Sequence, residues 1–212
     1  MSNVYGSLPK VVAPIDLSNN ESMLYLYLPI KLKGTGVCLP KQLEKFRVIV
    51  DAVKKDQGDK WDESNVYLTA KCAFVSGSNT YQRPGWHSDG FMTEDVNYLW
   101  FDKEPTEFYF DGALITITQD HAQSLVEMDD ICRNPEFIVR PEEKTLLKLD
   151  QSVIHRPAGF MESGFRNFIK ISVSDMEYRK LGNSINYDDE ILSITSDWDY
   201  ASRALERNCP AS

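Results

Sequence analysis

Apolar and polar residues follow a helical period in one early segment of this chain and a strand period in most of the rest. The helical segment has apolar side chains at three- and four-residue spacing, namely Leu39, Leu43, Phe46, Val50 and Val53. Pro40 lies near its start and Gly58 beyond its end, as is typical of helix termini. The pattern therefore predicts an amphipathic helix around residues 40–55.

Short runs of aromatic and β-branched residues, separated by turn-forming residues, predict strands elsewhere. They occur at residues 21–34, 65–77, 98–101, 107–110, 112–119, 136–140, 145–155 and 165–174. Residues 98–110 predict a hairpin with its turn at 102–106, and residues 145–155 predict one continuous strand. Residues 121–133 predict a short helix, and residues 197–208 a final one. One early helix followed by many strands favours a β-sandwich or barrel with helices against its outside.

The length and composition are typical of one folded domain. With 212 residues, of which 42% are hydrophobic and 26% charged, the chain is long enough to bury a core. We expect a single domain over residues 1–212 with its core at about 66–174. The N-terminal strand and helix occupy 21–58, and a polar extension covers 175–212.

Charge and cysteine content restrict the class of protein. A formal net charge of −9 argues against broad nucleic-acid binding, which requires many Lys and Arg side chains on phosphates. The four cysteines are scattered without a CxxC pair, as is typical of reduced thiols in a cytoplasmic protein. The N-terminus has no signal-peptide pattern, and the apolar run at 23–32 is too short to cross a bilayer. We therefore expect a cytoplasmic protein without membrane contact.

Two of the three histidines lie in patterns that indicate metal ligation. In "QRPGWHSDGF", at residues 82–91, His87 and Asp89 are two residues apart, so on a strand both point to the same face. His155 ends the predicted strand at 145–155, on the face of its apolar neighbours. Two histidines and one carboxylate that leave open coordination positions form the facial triad of non-haem Fe(II) oxygenases.

Each of these histidines also has a simpler interpretation. A His-x-Asp sequence occurs in ordinary surface loops, and His155 beside Pro157 is typical of a turn histidine bonded to backbone. The third histidine, His121, follows Asp120 at a predicted helix start, where we interpret it as a capping or surface residue. Arg166 favours the metal site, because it opens a later strand and its guanidinium can hold a carboxylate with two hydrogen bonds.

The set His87-x-Asp89, His155 and Arg166 resembles the signature of the 2-oxoglutarate/Fe(II)-dependent oxygenase superfamily, over roughly residues 66–174. The spacing from His155 to Arg166 is similar to that of the taurine dioxygenase and phytanoyl-CoA hydroxylase branches. The residues before the motif are similar to those of prolyl-hydroxylase-like members. The resemblance implies a double-stranded β-helix, which is a cupin-like jelly roll.

The resemblance also implies a metal, a cosubstrate and a reaction. His87, Asp89 and His155 would hold Fe(II), and Arg166 would hold the far carboxylate of 2-oxoglutarate. The implied oxidoreductase is a dioxygenase that consumes O2 and 2-oxoglutarate, releases succinate and CO2, and hydroxylates a primary substrate. That substrate is unidentified, and we expect a small molecule or an amino-acid side chain.

One part of the family pattern is missing, because no serine lies two residues after Arg166. The second group that would hold the far carboxylate is therefore open among four side chains that carry a hydroxyl: Tyr67, Tyr81, Tyr98 and Ser172. Strand parity places Arg166 on the face opposite Ile169 and Ile171. That face must then line a polar mouth, while the aliphatic face packs against an outer helix.

Two other functions stay open, namely a cupin-like metal enzyme that does not use 2-oxoglutarate and a non-catalytic jelly-roll binding protein with structural histidines. Three cations can reach an anionic substrate, although we prefer solvated surface charge for them: Lys71, Arg83 and Arg156. Trp86, Trp100 and Phe91 flank the motif as core or cavity wall, with core preferred. The acidic segment 186–199 is interpreted as solvated, with a lid over the site as the alternative.

Overall fold

The computed structural model describes residues 4–77, 79, 82–158, 162–179 and 182–198, which form twelve strands and three α-helices. The strands are β1 (Val4–Tyr5), β2 (Lys10–Pro14), β3 (Met23–Lys31), β4 (Asn65–Val75), β5 (His87–Ser88), β6 (Val96–Phe101), β7 (Glu107–Tyr109), β8 (Ile115–Thr116), β9 (Ile138–Val139), β10 (Thr145–Leu149), β11 (Ile154–Arg156) and β12 (Gly164–Ser174). The α-helices are α1 (Arg47–Gln57), α2 (His121–Ile131) and α3 (Asp189–Thr195).

Two antiparallel sheets make up most of the fold. The larger has six strands in the order β2-β10-β6-β12-β4-β3, and the smaller has four in the order β5-β11-β7-β9. The longest pairing joins β12 to β4, from Gly164 opposite Val75 to Ser174 opposite Asn65. The predicted class, mainly β with flanking helices, is confirmed.

The predicted amphipathic helix is present and packs on one face of the larger sheet. It begins as a 3-10 helix at Lys41–Phe46 and continues as α1. Gly58 follows its last turn with a φ of 57°, a left-handed conformation that glycine adopts without the steric cost of a Cβ. Apolar side chains of this segment enter the main core; they are Leu43, Phe46, Ile49, Val50 and Val53.

The two faces of β12 have different surroundings, because successive side chains on a strand point in opposite directions. Ile169 and Ile171 belong to the core that includes α1. Phe168 and Lys170, by contrast, line a cavity on the other side of the sheet. The predicted division of this strand into an aliphatic face and a cavity face is therefore confirmed for these residues, whereas Arg166, predicted on the cavity face, does not line the cavity.

The prediction of one continuous strand at 145–155 is wrong. β10 ends at Leu149 in the larger sheet, and β11 begins at Ile154 in the smaller one. The Asp150 carboxylate stabilises a turn between them, since it accepts hydrogen bonds from the backbone N (2.9 Å) and the hydroxyl (2.5 Å) of Ser152. The alternation of side chains along β10 therefore does not continue across this turn to His155.

The predicted hairpin at 98–110 is also wrong. β6 pairs in the larger sheet and β7 in the smaller one, so the connection between them crosses from one sheet to the other. Side chains hold this connection to β12. The carboxylate of Asp102 accepts a hydrogen bond from the backbone N of Asn167 at 2.8 Å, and the carbonyl of Glu104 accepts one from Arg166.

The helices outside the main core agree in part with the predictions. α2 confirms the short helix at 121–133, but its cap is Asp120, whose carboxylate accepts from the backbone N of Gln123 at 2.8 Å. α3 packs against β3 within the acidic segment, and most of the final helix predicted at 197–208 lies outside the described residues. None of the helices in the described part of the chain has the length and apolar character that a membrane span requires.

Phe46→Ala is expected to lower the free energy of unfolding by about 3–5 kcal/mol, because the ring is fully buried and its removal leaves a cavity. Chemical denaturation followed by circular dichroism measures the change. Val48→Ala is the control, since Val48 lies in the same helical segment but is 48% exposed, and its change should stay within about 0.5 kcal/mol. Equal losses in the two variants would contradict the position of the core.

Candidate metal centre

A cavity of about 1140 Å³ lies between the two sheets and contains the predicted metal ligands in its wall. Thr69 and Lys170 line it from the larger sheet, and His87 and His155 from the smaller one. Ligand sites of proteins typically have volumes of about 300–1000 Å³. The cavity is therefore large enough for more than one small molecule.

Strands β5 and β11 bring the three predicted metal ligands together. His87 is directly opposite His155 on the neighbouring strand, and their ring centroids are 4.5 Å apart. Asp89 follows β5 directly, and its Oδ2 lies 3.6 Å from Nε2 of His155. The three side chains offer ligand atoms that all lie within 4.8 Å of one another. The structure thus forms the His-Asp-His cluster that the sequence predicts.

Backbone carbonyls orient both imidazole rings. Nδ1 of His87 lies 3.0 Å from the carbonyl oxygen of Gly85, and Nδ1 of His155 lies 3.1 Å from that of Val153. A ring that donates its Nδ1–H to a carbonyl has Nε2 free as an acceptor, which is the tautomer that metal ligation at Nε2 requires. Gly85 has a φ of 84°, which suits glycine at the turn that directs this carbonyl towards the ring.

Charge and burial prepare the cluster for a cation. Burial, and secondly the neighbouring His155, lower the pKa of His87 to about 3, so its ring is neutral at neutral pH. Burial alone would raise the pKa of Asp89, but the ammonium of Lys170 and the two histidines hold it well below its usual value. A neutral imidazole and an ionised carboxylate are the protonation states in which these groups bind metal ions.

Lys170 and Tyr27 belong to the site although the sequence analysis did not identify them. The ammonium of Lys170 lies 2.9 Å from Oδ2 of Asp89 and donates to the Tyr27 hydroxyl at 2.8 Å. Although burial opposes it, these two neighbours raise the pKa of Lys170 above its usual value. The sequence contains a signal for Lys170, because strand parity places it on the same face as Arg166. It contains no such signal for Tyr27, because Tyr27 lies at a bulge of β3 with a φ of 48°.

A second charged network supports the strands that carry the histidines. Glu107 on β7 is fully buried and accepts hydrogen bonds from Nε of Arg140 at 2.9 Å and Nε of Arg156 at 2.7 Å. Arg156 on β11 also stacks on Trp86, with its Cζ 4.4 Å from the ring centroid. Since Trp86 directly precedes β5, the network connects the two ligand-bearing strands and limits their relative movement.

Arg166 is buried beside the cavity but does not belong to its lining. It is 2% exposed, and its Nε and Nη2 donate to the carbonyl of Glu104 at 3.1 and 2.8 Å. Its Cζ lies 5.3 Å from the ring centroid of Phe168, which does line the cavity. No carboxylate among the described residues forms an ion pair with it. Its role in binding a cosubstrate stays a prediction.

The hydroxyl groups proposed as partners of Arg166 have different positions. Ser172 lines the cavity. The hydroxyl of Tyr67 accepts a backbone N–H from the segment after β12 at 2.7 Å, and that of Tyr98 donates to a carboxylate of α1 at 2.5 Å. Neither tyrosine is part of the cavity wall. Tyr81 lies outside the described residues.

Thr106 is a cavity hydroxyl that the sequence analysis missed. It is 2% exposed and lines the cavity, and its Oγ1 has no hydrogen-bond partner among the described residues. It lies two residues after Glu104, whose carbonyl accepts from Arg166. A buried polar group without a partner costs about 1–3 kcal/mol, so a polar ligand at this point would stabilise it. No sequence signal marks a hydroxyl as unpaired.

The other residues that the sequence analysis named lie either in the core or in the wall of the cavity. Trp86 and Trp100 are buried in the core, as preferred, while Phe91 lines the cavity and packs against a small core cluster. His121 is exposed at the cavity edge, where its ring contacts Phe91 at a centroid distance of 6.1 Å, and it is not part of the metal cluster. Three cations that we interpreted as solvated surface charge line the cavity and are half-buried: Lys71, Arg83 and Arg156.

A second group of possible metal ligands lies near α3 and consists of Cys38, Asp188 and Glu190. Both carboxylates are exposed. Burial and these acidic neighbours raise the pKa of the Cys38 thiol to about 12, so the thiol stays protonated at neutral pH. Metals bind the thiolate, and this group is therefore poorly suited to hold one.

Comparison of the chain with protein-family models, with curated proteins and with solved structures finds no match. Fold and site together define a mainly β protein with a partly buried His-Asp-His cluster that can hold a metal ion. Two imidazole nitrogens and one carboxylate are the donor set of non-haem Fe(II) sites with open positions. The two Nδ1–carbonyl contacts and the ionised Asp89 fit that donor set.

Proposed function

We propose that this protein is a non-haem Fe(II)- and 2-oxoglutarate-dependent oxygenase that hydroxylates a small molecule or an amino-acid side chain. The observation that carries the proposal is the convergence of His87, Asp89 and His155 in the wall of a large cavity. Three protein ligands would leave coordination positions of a metal ion open to a cosubstrate and O2.

The chain's own groups prepare the site for that chemistry. When bound, Fe(II) would supply the activation of O2, which no protein side chain provides. The carbonyls of Gly85 and Val153 orient the two imidazole rings through their Nδ1 atoms.

We assign the far carboxylate of 2-oxoglutarate to Arg166 and Thr106. The guanidinium is buried and forms no ion pair with the described residues, and burial lowers its pKa only to about 10, so it stays charged at neutral pH. Its Nε and Nη2 donate to backbone carbonyls, which leaves Nη1 for an anion. Thr106 adds a buried hydroxyl without a partner among the described residues. A cation and a hydroxyl together suit a carboxylate.

We assign Lys170 to the positioning of Asp89, because its charge is already paired. Its ammonium holds Oδ2 of the carboxylate at 2.9 Å and is itself held by the Tyr27 hydroxyl at 2.8 Å. Two fixed contacts restrict the rotation of the carboxylate relative to His155. A ligand whose orientation is fixed in advance loses less conformational entropy when a metal binds.

The strand connections support a jelly roll of the double-stranded β-helix type, which we propose as the finer description of the fold. The chain passes from the larger sheet to the smaller one between β6 and β7, and again between β10 and β11. Jelly rolls are built from two antiparallel sheets with such crossings. The proposed ligand strands β5 and β11 are neighbours in the smaller sheet.

Anaerobic titration with Fe(II) and 2-oxoglutarate tests the proposed function. We expect a weak visible absorption band that requires both components, and succinate formation once O2 is admitted. A cupin-like metal enzyme that does not use 2-oxoglutarate would bind iron without this band. A non-catalytic binding protein would neither bind iron at the cluster nor form succinate. Either of these results contradicts the proposal.

A further inference from the structure

The charges in the cavity wall differ in sign from the charge of the whole protein. The chain has a formal net charge of −9, yet its cavity is lined by more cations than carboxylates. The cations are Lys71, Arg83, Arg156 and Lys170, and the carboxylates are Asp89 and Asp95. A cavity with an excess of one charge concentrates ligands of the opposite charge. The wall therefore favours anions.

Arg83 is the cation of this wall that is best placed to bind a new anion. Lys170 is neutralised by Asp89 at 2.9 Å, and Nε of Arg156 donates to Glu107 at 2.7 Å. Lys71 already takes part in another interaction. Arg83 forms no ion pair and no hydrogen bond with the residues that the structure describes. A half-buried guanidinium in this state can bind a carboxylate or phosphate with two hydrogen bonds.

The chain itself limits the distance from Arg83 to the metal centre. Arg83 and His87 line the same cavity, and the Pro84–Gly85 turn lies between them. Four residues of even fully extended chain span at most about 14 Å, and the turn makes the span shorter. A small molecule held by Arg83 can therefore extend to the metal ligands.

The cavity also has room for such a molecule beside the cosubstrate. Its volume of about 1140 Å³ exceeds the range of about 300–1000 Å³ that holds drug-sized ligands. 2-Oxoglutarate is much smaller than such a ligand. The cavity as a whole therefore has room for a second compound beside the cosubstrate.

We propose that the primary substrate is a small anionic molecule whose carboxylate or phosphate group pairs with Arg83. Its role as a substrate rests on the proposed oxygenase function, whereas the binding of the anion does not. Arg83 would hold the charged end, and the remainder of the molecule would extend towards His87. Neutral molecules of the same shape would lack this contact and bind more weakly.

Nuclear magnetic resonance of the metal-free protein tests the anion site directly through the Nε–H signal of Arg83, assigned by its loss in Arg83→Lys. The probes are inorganic phosphate and acetate, which represent the two possible anionic groups. We expect a saturable shift of the Arg83 signal with at least one of them, and the stronger probe identifies the group. The signal of the exposed Arg133, which pairs with Asp130, is the control. An Arg83 signal that moves no more than the Arg133 signal overturns the proposal.

Calorimetry with the same probes gives a second test. Arg83→Gln should weaken binding of the preferred probe at least about tenfold, which corresponds to the loss of one charge-assisted hydrogen bond. Arg133→Gln removes the same charge at the surface and should have no effect. Equal affinities of the two variants overturn the proposal. Neither experiment requires iron or turnover, so a failure here is distinct from a failure to form succinate, which would overturn the oxygenase function.

Discussion

Replacement of His87, Asp89 or His155 by alanine is expected to lower the affinity for Fe(II) by more than about a hundredfold and to abolish succinate formation. A site with three protein ligands has no spare one, and changes to groups behind the ligands already cost about 10–100-fold. Anaerobic equilibrium dialysis with metal analysis measures the affinity. Circular dichroism of each variant shows whether its fold is retained.

His121→Ala is the matched control for this prediction. His121 is exposed at the edge of the same cavity but lies outside the cluster, so its replacement should leave iron binding unchanged. Asp89→Ala has a second effect, because it leaves the buried ammonium of Lys170 without its carboxylate. The two histidine variants therefore give the clearer result. A loss of iron in His121→Ala as severe as theirs would show that the ligands are wrongly assigned.

Arg166→Ala is expected to weaken 2-oxoglutarate binding by at least about a hundredfold and to leave Fe(II) binding nearly intact. Breaking a buried ion pair costs about 3–5 kcal/mol, which corresponds to about 2–4 decades of affinity. Arg166 is 2% exposed and forms no ion pair within the described chain, so the pair that it would form with the cosubstrate would be a buried one. Anaerobic isothermal titration of the iron-loaded protein measures the affinity.

Two further variants separate the charge of Arg166 from its other contacts. Arg166→Lys should recover only part of the affinity, because an ammonium cannot reproduce the planar fork of the guanidinium. Thr106→Val keeps the shape of the side chain and removes the hydroxyl, and about a tenfold loss is expected. Arg166 also binds the carbonyls of Lys103 and Glu104, so thermal unfolding must show that the variants are folded during titration. Unchanged 2-oxoglutarate affinity in Arg166→Ala would falsify its assigned role.

The candidate metal ligands were predictable from the sequence, because the chain places two of them close together and all three are residue types that bind metal ions. His87 and Asp89 are close in the chain, and imidazole and carboxylate are ligands wherever they meet. The groups around them were not predictable in this way. Lys170 contacts Asp89 across 81 positions of the chain, and whether the hydroxyl of Thr106 has a partner among the described residues depends on its surroundings in the fold.

The surroundings of the cations in the cavity wall could not be predicted from the sequence either. A sequence records that Arg83 is charged, but its burial depends on the strands and loops that surround it. The composition favoured solvated surface charge, since most Arg side chains of a globular protein are exposed. Only the assembled walls of the two sheets place Arg83 in a cavity beside the metal ligands.

By itself, the sequence determined the helix at 40–55 and the two faces of β12, because periods of 3.6 and 2 residues decide which side chains share a face. It also determined which side chains can act as metal ligands. Only the tertiary structure decided which strands are neighbours. Residues 145–155 divide between two sheets at the Asp150 turn, and the connection at 102–106 is held to β12 instead of closing a hairpin. Periodicity shows that a face is buried, but the partner that covers it is selected by packing and hydrogen bonds between distant parts of the chain.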